Sequence, residues 1–204
     1  MSIKLYELGR SRSSRIRWML NEAGIPFESI PVKVGPNADP AFLKISPLGK
    51  VPVIQDGDLV LRESAAIATY IADQVPEKNL VPPPRTRERA LYDQWMSFII
   101  TELDAPLWVI AKNTFLYPEE KRTPVAIEMA RDDFKRVAAV WERELGNKSF
   151  MLGETFSALD VMAGQIAIWA NIYHLIDGFP GLQAYLKRVT ARPAFPKDIY
   201  EQRS

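Results

Sequence analysis

The chain of 204 residues contains no cysteine and a single histidine, His174. Without cysteine it has no disulfides, no thiolate metal site and no cysteine nucleophile, and one histidine cannot build a multi-histidine metal site. Lysine plus arginine number 26 against 25 aspartate plus glutamate, so the positive excess typical of nucleic-acid-binding proteins is missing too. These absences predict no metal and no nucleic-acid partner. His174 lies late in an apolar helix pattern, and we expect a core or surface role for it.

Long apolar runs are also missing. No stretch is long enough to cross a bilayer, and the N-terminus, MSIKLYELGR, lacks the apolar segment of a signal peptide. We therefore expect a cytoplasmic protein with no membrane partner. Hydrophobic residues still make up 47% of the chain, which is enough to bury a core in one large domain or two small ones.

Residues 1–78 alternate between strand-like and helix-like segments. The segment 3–8 alternates apolar and polar residues, and 27–34 is rich in apolar and β-branched residues, so both predict strands. A helix is expected between these strands, with Ser13 or Ser14 as its N-cap.

Two further helices and a hairpin follow in the same domain. Asp39-Pro40 combines a capping residue with a first-turn proline, and Asp56-Gly57 is a turn between two short apolar strands. The last helix is expected over 65–75. The complete order is βαβαββα, which predicts an α+β domain with a mixed sheet and helices on its faces.

The rest of the chain is predicted to be helical. Prolines and charges mark 79–85 as a linker, and no convincing strand pattern appears in 86–204. Thr123-Pro124 begins a long amphipathic pattern with apolar residues three and four apart. Ser157 and Asp160 have the spacing of a capping box, before a helix that is apolar nearly all round. The second domain is therefore predicted to be an all-α bundle.

Two dipeptides of the first domain could bind a small peptide. Val51-Pro52 lies directly before a predicted strand. A cis bond there would leave the backbone N–H and C=O of Val51 unpaired, so that an extended peptide could bind to them. A plain trans proline at a loop-to-strand junction is the alternative. Glu63-Ser64 lies where a strand enters a helix, so Ser64 can meet a carboxylate and Glu63 an ammonium group. An ordinary helix cap is the alternative there.

Four stretches together resemble the cytosolic glutathione S-transferase family. SPLGKVPVIQDGDLVLRESAAIATYIAD resembles its glutathione-binding segment, and RSRSSRIRWMLNEAGIPFE resembles the first turn and helix of its serine-type classes. FMLGETFSALDVMAG resembles its C-terminal capping box and staple, and FPGLQAYLKRVTARPAF resembles its later helices. The resemblance covers nearly the full chain. It implies a thioredoxin-like first domain, a linker and an all-helical second domain.

The resemblance implies a detoxification enzyme that activates the thiol of glutathione, its cosubstrate, and conjugates it to small hydrophobic electrophiles. The missing cysteine argues against the thiol-transfer branch, whose chemistry needs a protein cysteine. Peroxide reduction or isomerisation at the same site, or a non-catalytic interaction module, are the alternatives. The implied glutathione contacts, with Lys33 as a weaker candidate, are Lys50, Val51, Pro52, Glu63 and Ser64.

A hydroxyl or a guanidinium is expected to stabilise the glutathione thiolate. In the serine-type classes the catalytic serine lies a few residues before an arginine of the first helix, and here Ser11 lies four residues before one. Ser13 and Ser14 are alternatives. Arg12 replaces the small residue usual in the family, and its guanidinium could itself stabilise a thiolate. Tyr6 is embedded in the first strand and is expected to pack there.

Two surfaces are expected beyond the glutathione site. The resemblance implies a two-fold homodimer, for which a basic and aromatic strip is the candidate interface: Arg62, Arg87, Arg89, Tyr92 and Trp95. An electrophile pocket is expected between the two domains, with core packing as the alternative for each candidate. The candidates are Leu8, Leu107, Trp108, Ile110, Phe115 and Tyr117.

Overall fold

The structure is a computed structural model that describes residues 2–35 and 38–198. It divides into two compact units, which are described separately below: Met1–Pro83 with Ala191–Ser204, and Pro84–Thr190. Within the described ranges, no helix combines the length and the apolar character needed to cross a membrane.

The first unit has the predicted order βαβαββα, followed by a short 3-10 turn at Pro76–Lys78. Its strands are β1 (Ile3–Glu7), β2 (Phe27–Pro31), β3 (Val53–Asp56) and β4 (Leu59–Arg62). Its helices are α1 (Ser13–Ala23), α2 (Pro40–Ile45) and α3 (Ser64–Asp73).

The strands form one mixed sheet in the order β2-β1-β3-β4. β1 runs parallel to β2, as the crossover through α1 allows, and antiparallel to β3, which pairs antiparallel with β4. Successive residues of β1 face opposite sides of the sheet. Leu5 is fully buried, whereas the ring of Tyr6 lies 5.9 Å from that of Phe42 in α2. The sheet is therefore packed on both faces.

The start of α1 differs from the expectation. Neither Ser13 nor Ser14 is the N-cap, because the helix begins at Ser13 and both residues lie inside it. Arg12 occupies the N-cap position without a side-chain cap. The hydroxyl of Ser11 accepts a hydrogen bond from the Ser13 N–H at 3.1 Å. Ser11 therefore satisfies one of the first N–H groups of α1, although the sequence predicted Ser13 or Ser14 as the capping residue.

Two other helix ends agree with the sequence. The Asp39 carboxylate accepts a hydrogen bond from the Ala41 N–H at 2.7 Å, and Pro40 lies in the first turn of α2. Gly24 ends α1 with a left-handed φ of 66°, a conformation that costs glycine little.

The second unit is helical apart from an isolated bridge between Phe150 and Gly153. π-helical turns at 99–104 and 112–116 directly flank the helix Ala105–Ala111, and Pro106 lies in the first turn of that helix. The predicted fold class, a thioredoxin-like α+β domain followed by an all-α bundle, is confirmed. The helices of this unit are α4 (Arg87–Phe98), α5 (Ala105–Ala111), α6 (Pro124–Leu145), α7 (Ala158–Ile172) and α8 (Pro180–Thr190).

A buried hydrogen-bond network surrounds the start of α7. The Asp160 carboxylate accepts hydrogen bonds from the Ser157 N–H at 2.9 Å and the Ser157 hydroxyl at 3.2 Å, so this pair forms as predicted. It also accepts from the Met151 N–H and the Tyr185 hydroxyl, each at 2.8 Å. Burial raises the pKa of Asp160 from 3.8 to about 6, against the hydrogen bonds that lower it.

The chain from Ala191 onward groups with the first unit, whereas the sequence assigned it to the helical domain 86–204. Arg192 donates two hydrogen bonds of 2.7 Å to the Glu22 carboxylate on α1. This contact joins residues 170 positions apart, which no local pattern predicts. The other expected limits, the domain 1–78 and the linker 79–85, stay a prediction.

Candidate functional site

Three segments that the sequence singles out meet at one end of the sheet. Val53, the first residue of β3, pairs with Tyr6 near the end of β1 and with Arg62 at the end of β4. Because β3 runs antiparallel to both neighbours, its start lies beside their ends. The loop after β1, the dipeptide before β3 and the dipeptide after β4 are therefore neighbours in space.

The dipeptide before β3 has an open backbone. The Val51-Pro52 bond is cis, as predicted. The N–H and C=O groups of Val51 have no hydrogen-bond partner within the described part of the chain. Lys50, the residue before Val51, has both of its backbone groups bonded to one side chain. Ser46 Oγ accepts from the Lys50 N–H at 3.2 Å and donates to the Lys50 C=O at 2.8 Å. The side chain of Lys50 is exposed.

We expect Ser46→Ala to destabilise this segment. Ser46 is 2% exposed, and its hydroxyl bonds both backbone groups of Lys50. Losing two such bonds should lower the free energy of unfolding by about 1–3 kcal/mol, measured by urea denaturation. Ser97→Ala is the control, since the Ser97 hydroxyl bonds one carbonyl on an exposed helix face. Equal unfolding midpoints for Ser46→Ala and the control would show that the Ser46 hydroxyl does not hold the segment.

The dipeptide after β4 begins α3. Glu63 is exposed and has a left-handed φ of 67°, while Ser64 is 6% exposed. The guanidinium of Arg15, which is fully buried in α1, donates a hydrogen bond to the Ser64 hydroxyl at 3.2 Å. The first turn of α3 contains no acidic residue, so its partial positive charge and N–H groups are available to an anion. This arrangement can hold a carboxylate at Ser64 and an ammonium group at Glu63.

The three serines near the start of α1 differ in their contacts. Ser11 Oγ donates to the Leu8 C=O at 2.6 Å and lies 3.0 Å from Ser13 Oγ. Ser13 is fully buried and also accepts from the Leu8 N–H at 3.3 Å. The Ser14 hydroxyl is buried and has no hydrogen-bond partner among the described residues. Ser11 is the only one of these three that is not buried.

The remaining polar candidates lie on the surface or pack as expected. Arg12 is half-buried beside Ser11, and Lys33 is exposed. The Tyr6 hydroxyl donates to the Gln55 side chain at 3.2 Å, which agrees with the packing role expected for it. His174 is exposed, and its Nδ1 lies 3.2 Å from the Asp177 carboxylate.

The six electrophile-pocket candidates differ in exposure. Leu107 and Ile110 of α5 are 0% and 1% exposed, which favours core packing for these two. The pocket itself stays a prediction. The other four candidates keep accessible surface: Leu8, Trp108, Phe115 and Tyr117.

One residue of the expected dimer strip is not at the surface. Tyr92 is fully buried, and the guanidinium carbon of Arg89 lies 5.5 Å from the centre of its ring. Arg62, another residue of the strip, is exposed and donates a hydrogen bond to the Ile45 C=O at 2.7 Å. Tyr92 therefore cannot belong to an exposed strip, because its ring already packs within the subunit.

Two residues that hold the site in place are not predicted as such from the sequence. Ser46 fixes the backbone of Lys50, and Arg15 reaches Ser64 from another helix. The family-like spacing of serine and arginine marks Arg15 in the sequence without indicating its partner. No sequence pattern marks Ser46.

Comparison with known proteins places the chain in a family. The family models for the N-terminal and C-terminal domains of glutathione S-transferase match residues 1–73 and 124–188. Glutathione S-transferase GstB of Escherichia coli strain K12 is 31% identical over 205 residues, which cover 94% of this chain and 95% of GstB. Glutathione S-transferase F13 of Arabidopsis thaliana is 28% identical over 207 residues, covering 97% of this chain and 94% of that protein.

Solved structures agree with these matches. The ternary complex of BphK, a bacterial glutathione S-transferase, has a TM-score of 0.87 and 28% identity, and covers 97% of this chain and 98% of that chain. A sphingomonad glutathione S-transferase complexed with glutathione has a TM-score of 0.83 and 25% identity, and covers 97% of each chain. The matched domains and the relatives together show that this chain belongs to the glutathione S-transferase family.

Proposed function

We propose that this glutathione S-transferase binds glutathione, its cosubstrate, across the three segments that meet at the end of the sheet. There it conjugates the glutathione sulfur to small hydrophobic electrophiles. The observation that carries the proposal is the pairing of Val53 with Tyr6 and Arg62, because it gathers all three segments at the start of β3.

Each part of glutathione has a chemical counterpart in this arrangement. Its extended backbone can pair with the open N–H and C=O of Val51, as an added strand does. Its glutamyl end carries a carboxylate for Ser64 and the N–H groups of α3, and an ammonium group for Glu63. Lys50 is exposed next to Val51 and can approach the carboxylate of the glycyl end.

The sulfur of a peptide bound in this way would lie near the start of α1. A thiol with a pKa near 8.5 is about 3% ionised at pH 7, and lowering its pKa by two units, about 2.7 kcal/mol, would ionise most of it. One hydroxyl that donates to a charged acceptor contributes about 1.5–3 kcal/mol. Ser11, with Arg12 beside it and no acidic residue in the first turn of α1, can supply this stabilisation.

Titration calorimetry tests the proposal. We expect the wild type to bind glutathione, and to bind S-hexylglutathione more tightly because the hexyl chain buries apolar surface in the electrophile pocket. Ser64→Ala should weaken both ligands by roughly 10-fold or more through loss of a hydrogen bond to a charged group. Ser97→Ala should leave both affinities unchanged. A folded wild type that gives no binding heat with glutathione would refute the proposed site.

Two other reactions would use the same residues. Peroxide reduction and isomerisation both need a bound glutathione thiolate, so an activity panel separates them from conjugation. The panel contains a chloronitrobenzene, an organic hydroperoxide and a maleyl compound. Turnover of the hydroperoxide alone would show that the enzyme reduces peroxides and does not conjugate. Turnover of the maleyl compound alone would show that it is an isomerase. A non-catalytic interaction module is disfavoured because Val51-Pro52 and Glu63-Ser64 are both present.

The proposed enzyme is a cytoplasmic homodimer, as the family resemblance implies. Light scattering on purified protein measures the oligomeric state. A mass near 23.2 kDa, that of one chain, would exclude the dimer.

A further inference from the structure

We propose that Arg15 is a positioning residue for glutathione, which acts through Ser64 to select the α-carboxylate of the glutamyl end. This inference rests on the proposed glutathione site. Its basis is the hydrogen bond of 3.2 Å from Arg15 Nη1 to Ser64 Oγ, between the first helix and the residue that begins α3. Arg15 does not need to touch the ligand in this role.

The direction of this hydrogen bond determines whether the Ser64 hydroxyl can still donate to a ligand. A guanidinium only donates hydrogen bonds, so it uses a lone pair of the Ser64 oxygen and leaves the hydroxyl proton free. The described residues provide no acceptor for that proton. Ser64 therefore has a donor to offer to an incoming group, and an anionic acceptor gives the strongest such bond.

The charges around Ser64 favour the same kind of ligand. Arg15 is fully buried and keeps its positive charge at every physiological pH. A charge that is out of contact with water acts more strongly on its neighbours than an exposed one. The N-terminus of α3 adds partial positive charge, and its first turn contains no acidic residue. The bound glutamyl group offers a carboxylate that can accept from the Ser64 hydroxyl and from the N–H groups at the start of α3.

Two glutathione analogues separate this role from a structural one. 4-Aminobutyryl-cysteinyl-glycine lacks only the α-carboxylate, and glutaryl-cysteinyl-glycine lacks only the ammonium group. Calorimetry then gives two ratios for each variant, the affinity for glutathione over that for each analogue. The first ratio measures recognition of the carboxylate, and the second measures recognition of the ammonium group.

We expect Arg15→Met to reduce the carboxylate ratio by roughly 10-fold or more, as for loss of a hydrogen bond to a charged group, and to leave the ammonium ratio unchanged. Glu63→Gln should show the reverse pattern. Arg17→Met is the matched control, because Arg17 lies on the same helix but pairs with Glu7. The control should leave both ratios within about twofold of the wild type even if it lowers stability.

The possible failures are distinguishable. A wild type that does not bind glutathione refutes the proposed function itself. A wild type that binds glutathione but does not distinguish the aminobutyryl analogue overturns the inference, because Ser64 then does not recognise a carboxylate. Equal carboxylate ratios in wild type and Arg15→Met also overturn it, and assign Arg15 a structural role alone.

A second measurement needs no substitution of Arg15, in case Arg15→Met does not fold. The guanidinium resonance of Arg15 in the wild type is followed by NMR while each ligand is titrated. We expect it to shift with glutathione and with the glutaryl analogue, and to stay unchanged with the aminobutyryl analogue. Equal shifts with all three ligands would overturn the inference.

Discussion

Asp160→Ala is expected to lower the free energy of unfolding by about 3–5 kcal/mol, a large part of the stability of an ordinary domain. The carboxylate accepts hydrogen bonds from the N–H groups of Met151 and Ser157 and from the hydroxyl of Tyr185, at 2.8–2.9 Å. Asp160 is fully buried, so water cannot easily replace the lost acceptor. Each buried donor left without a partner costs about 1–3 kcal/mol.

Urea denaturation at constant pH measures this loss. Asp177→Ala is the control, because Asp177 lies on the surface, 59% exposed, and its contact is with the exposed His174. An isolated surface pair of this kind contributes about 0–1 kcal/mol. A loss of less than about 1 kcal/mol for Asp160→Ala would mean that the three donors find other acceptors.

The same carboxylate makes stability depend on pH. Its pKa is about 6 in the folded chain against an ordinary value of 3.8, so the folded state holds the proton more tightly than the unfolded state. The stabilisation is therefore fully present below about pH 4 and is lost as pH rises to about 6. The loss amounts to about 3 kcal/mol over this window.

Asp160→Asn tests the pH dependence, since the amide does not titrate. The difference in unfolding free energy between wild type and Asp160→Asn should shift against the wild type as pH rises from about 4 to 6, and stay constant above that range. Other carboxylates contribute equally to both proteins and cancel in the difference. A difference that moves in the opposite direction would show that the hydrogen bonds, and not burial, dominate the pKa.

The fold could be predicted from short-range patterns because its elements are specified locally. Asp39-Pro40 begins α2, Gly24 ends α1, and the Ser157–Asp160 pair begins α7. The parallel pair β1–β2 and the antiparallel pair β3–β4 then follow from the connections, a helix for the first and a tight turn for the second. The position of β3 beside β1 does not follow from them. Each of these signals spans fewer than five residues, so a single sequence contains them in full.

Periodicity was less informative about which side of a helix is inside. In the sequence of α4, Leu91, Trp95 and Phe98 have helical spacing, but the apolar stripe that is buried begins one residue later. Leu91 is 42% exposed, whereas its neighbour Tyr92 is fully buried. Two adjacent apolar stripes share the same spacing, and only packing against the rest of the bundle decides between them. The buried stripe continues through Met96, Ile99 and Leu103.

The residues that organise the candidate site were hard to predict for a different reason. Arg15 and Ser64 are 49 positions apart, and an arginine in a helix usually lies at the surface. The partner that Arg15 contacts, the Ser64 hydroxyl at the start of α3, comes close to it only in the folded chain. Ser46 bonds the backbone of Lys50, and any residue except proline at position 50 would provide the same two partners. Neither contact leaves a pattern in the sequence.

Ser11→Ala is expected to raise the pKa of the bound glutathione thiol by about one to two units, equivalent to about 1.4–2.7 kcal/mol. In the free chain the Ser11 hydroxyl donates to the Leu8 C=O at 2.6 Å. A thiolate is a charged acceptor and forms a stronger bond than a neutral carbonyl, so the proton should turn toward the sulfur once glutathione binds. Alanine removes this donor and leaves only the start of α1 and Arg12 to stabilise the thiolate.

The ultraviolet absorbance of the bound thiolate against pH gives this pKa directly, and kcat/KM at neutral pH should fall by roughly 10-fold or more as the thiolate fraction decreases. Ser11→Ala also removes the acceptor for the Ser13 N–H, so thermal unfolding must show that the variant is folded. Ser14→Ala is the matched control. The Ser14 hydroxyl is buried without a hydrogen-bond partner in the described chain, so replacing it should not shift the thiol pKa and should not destabilise the fold.

The opposite pair of results would reassign the site. An unchanged titration curve for Ser11→Ala together with a raised thiol pKa for Ser14→Ala would mean that the buried hydroxyl turns toward the sulfur on binding. A raised thiol pKa for Arg12→Met alone would place the stabilising charge on the guanidinium. Ser11 remains the first expectation because it is not buried, whereas Ser13 and Ser14 are 0% and 2% exposed and cannot reach a ligand without a rearrangement of the first turn.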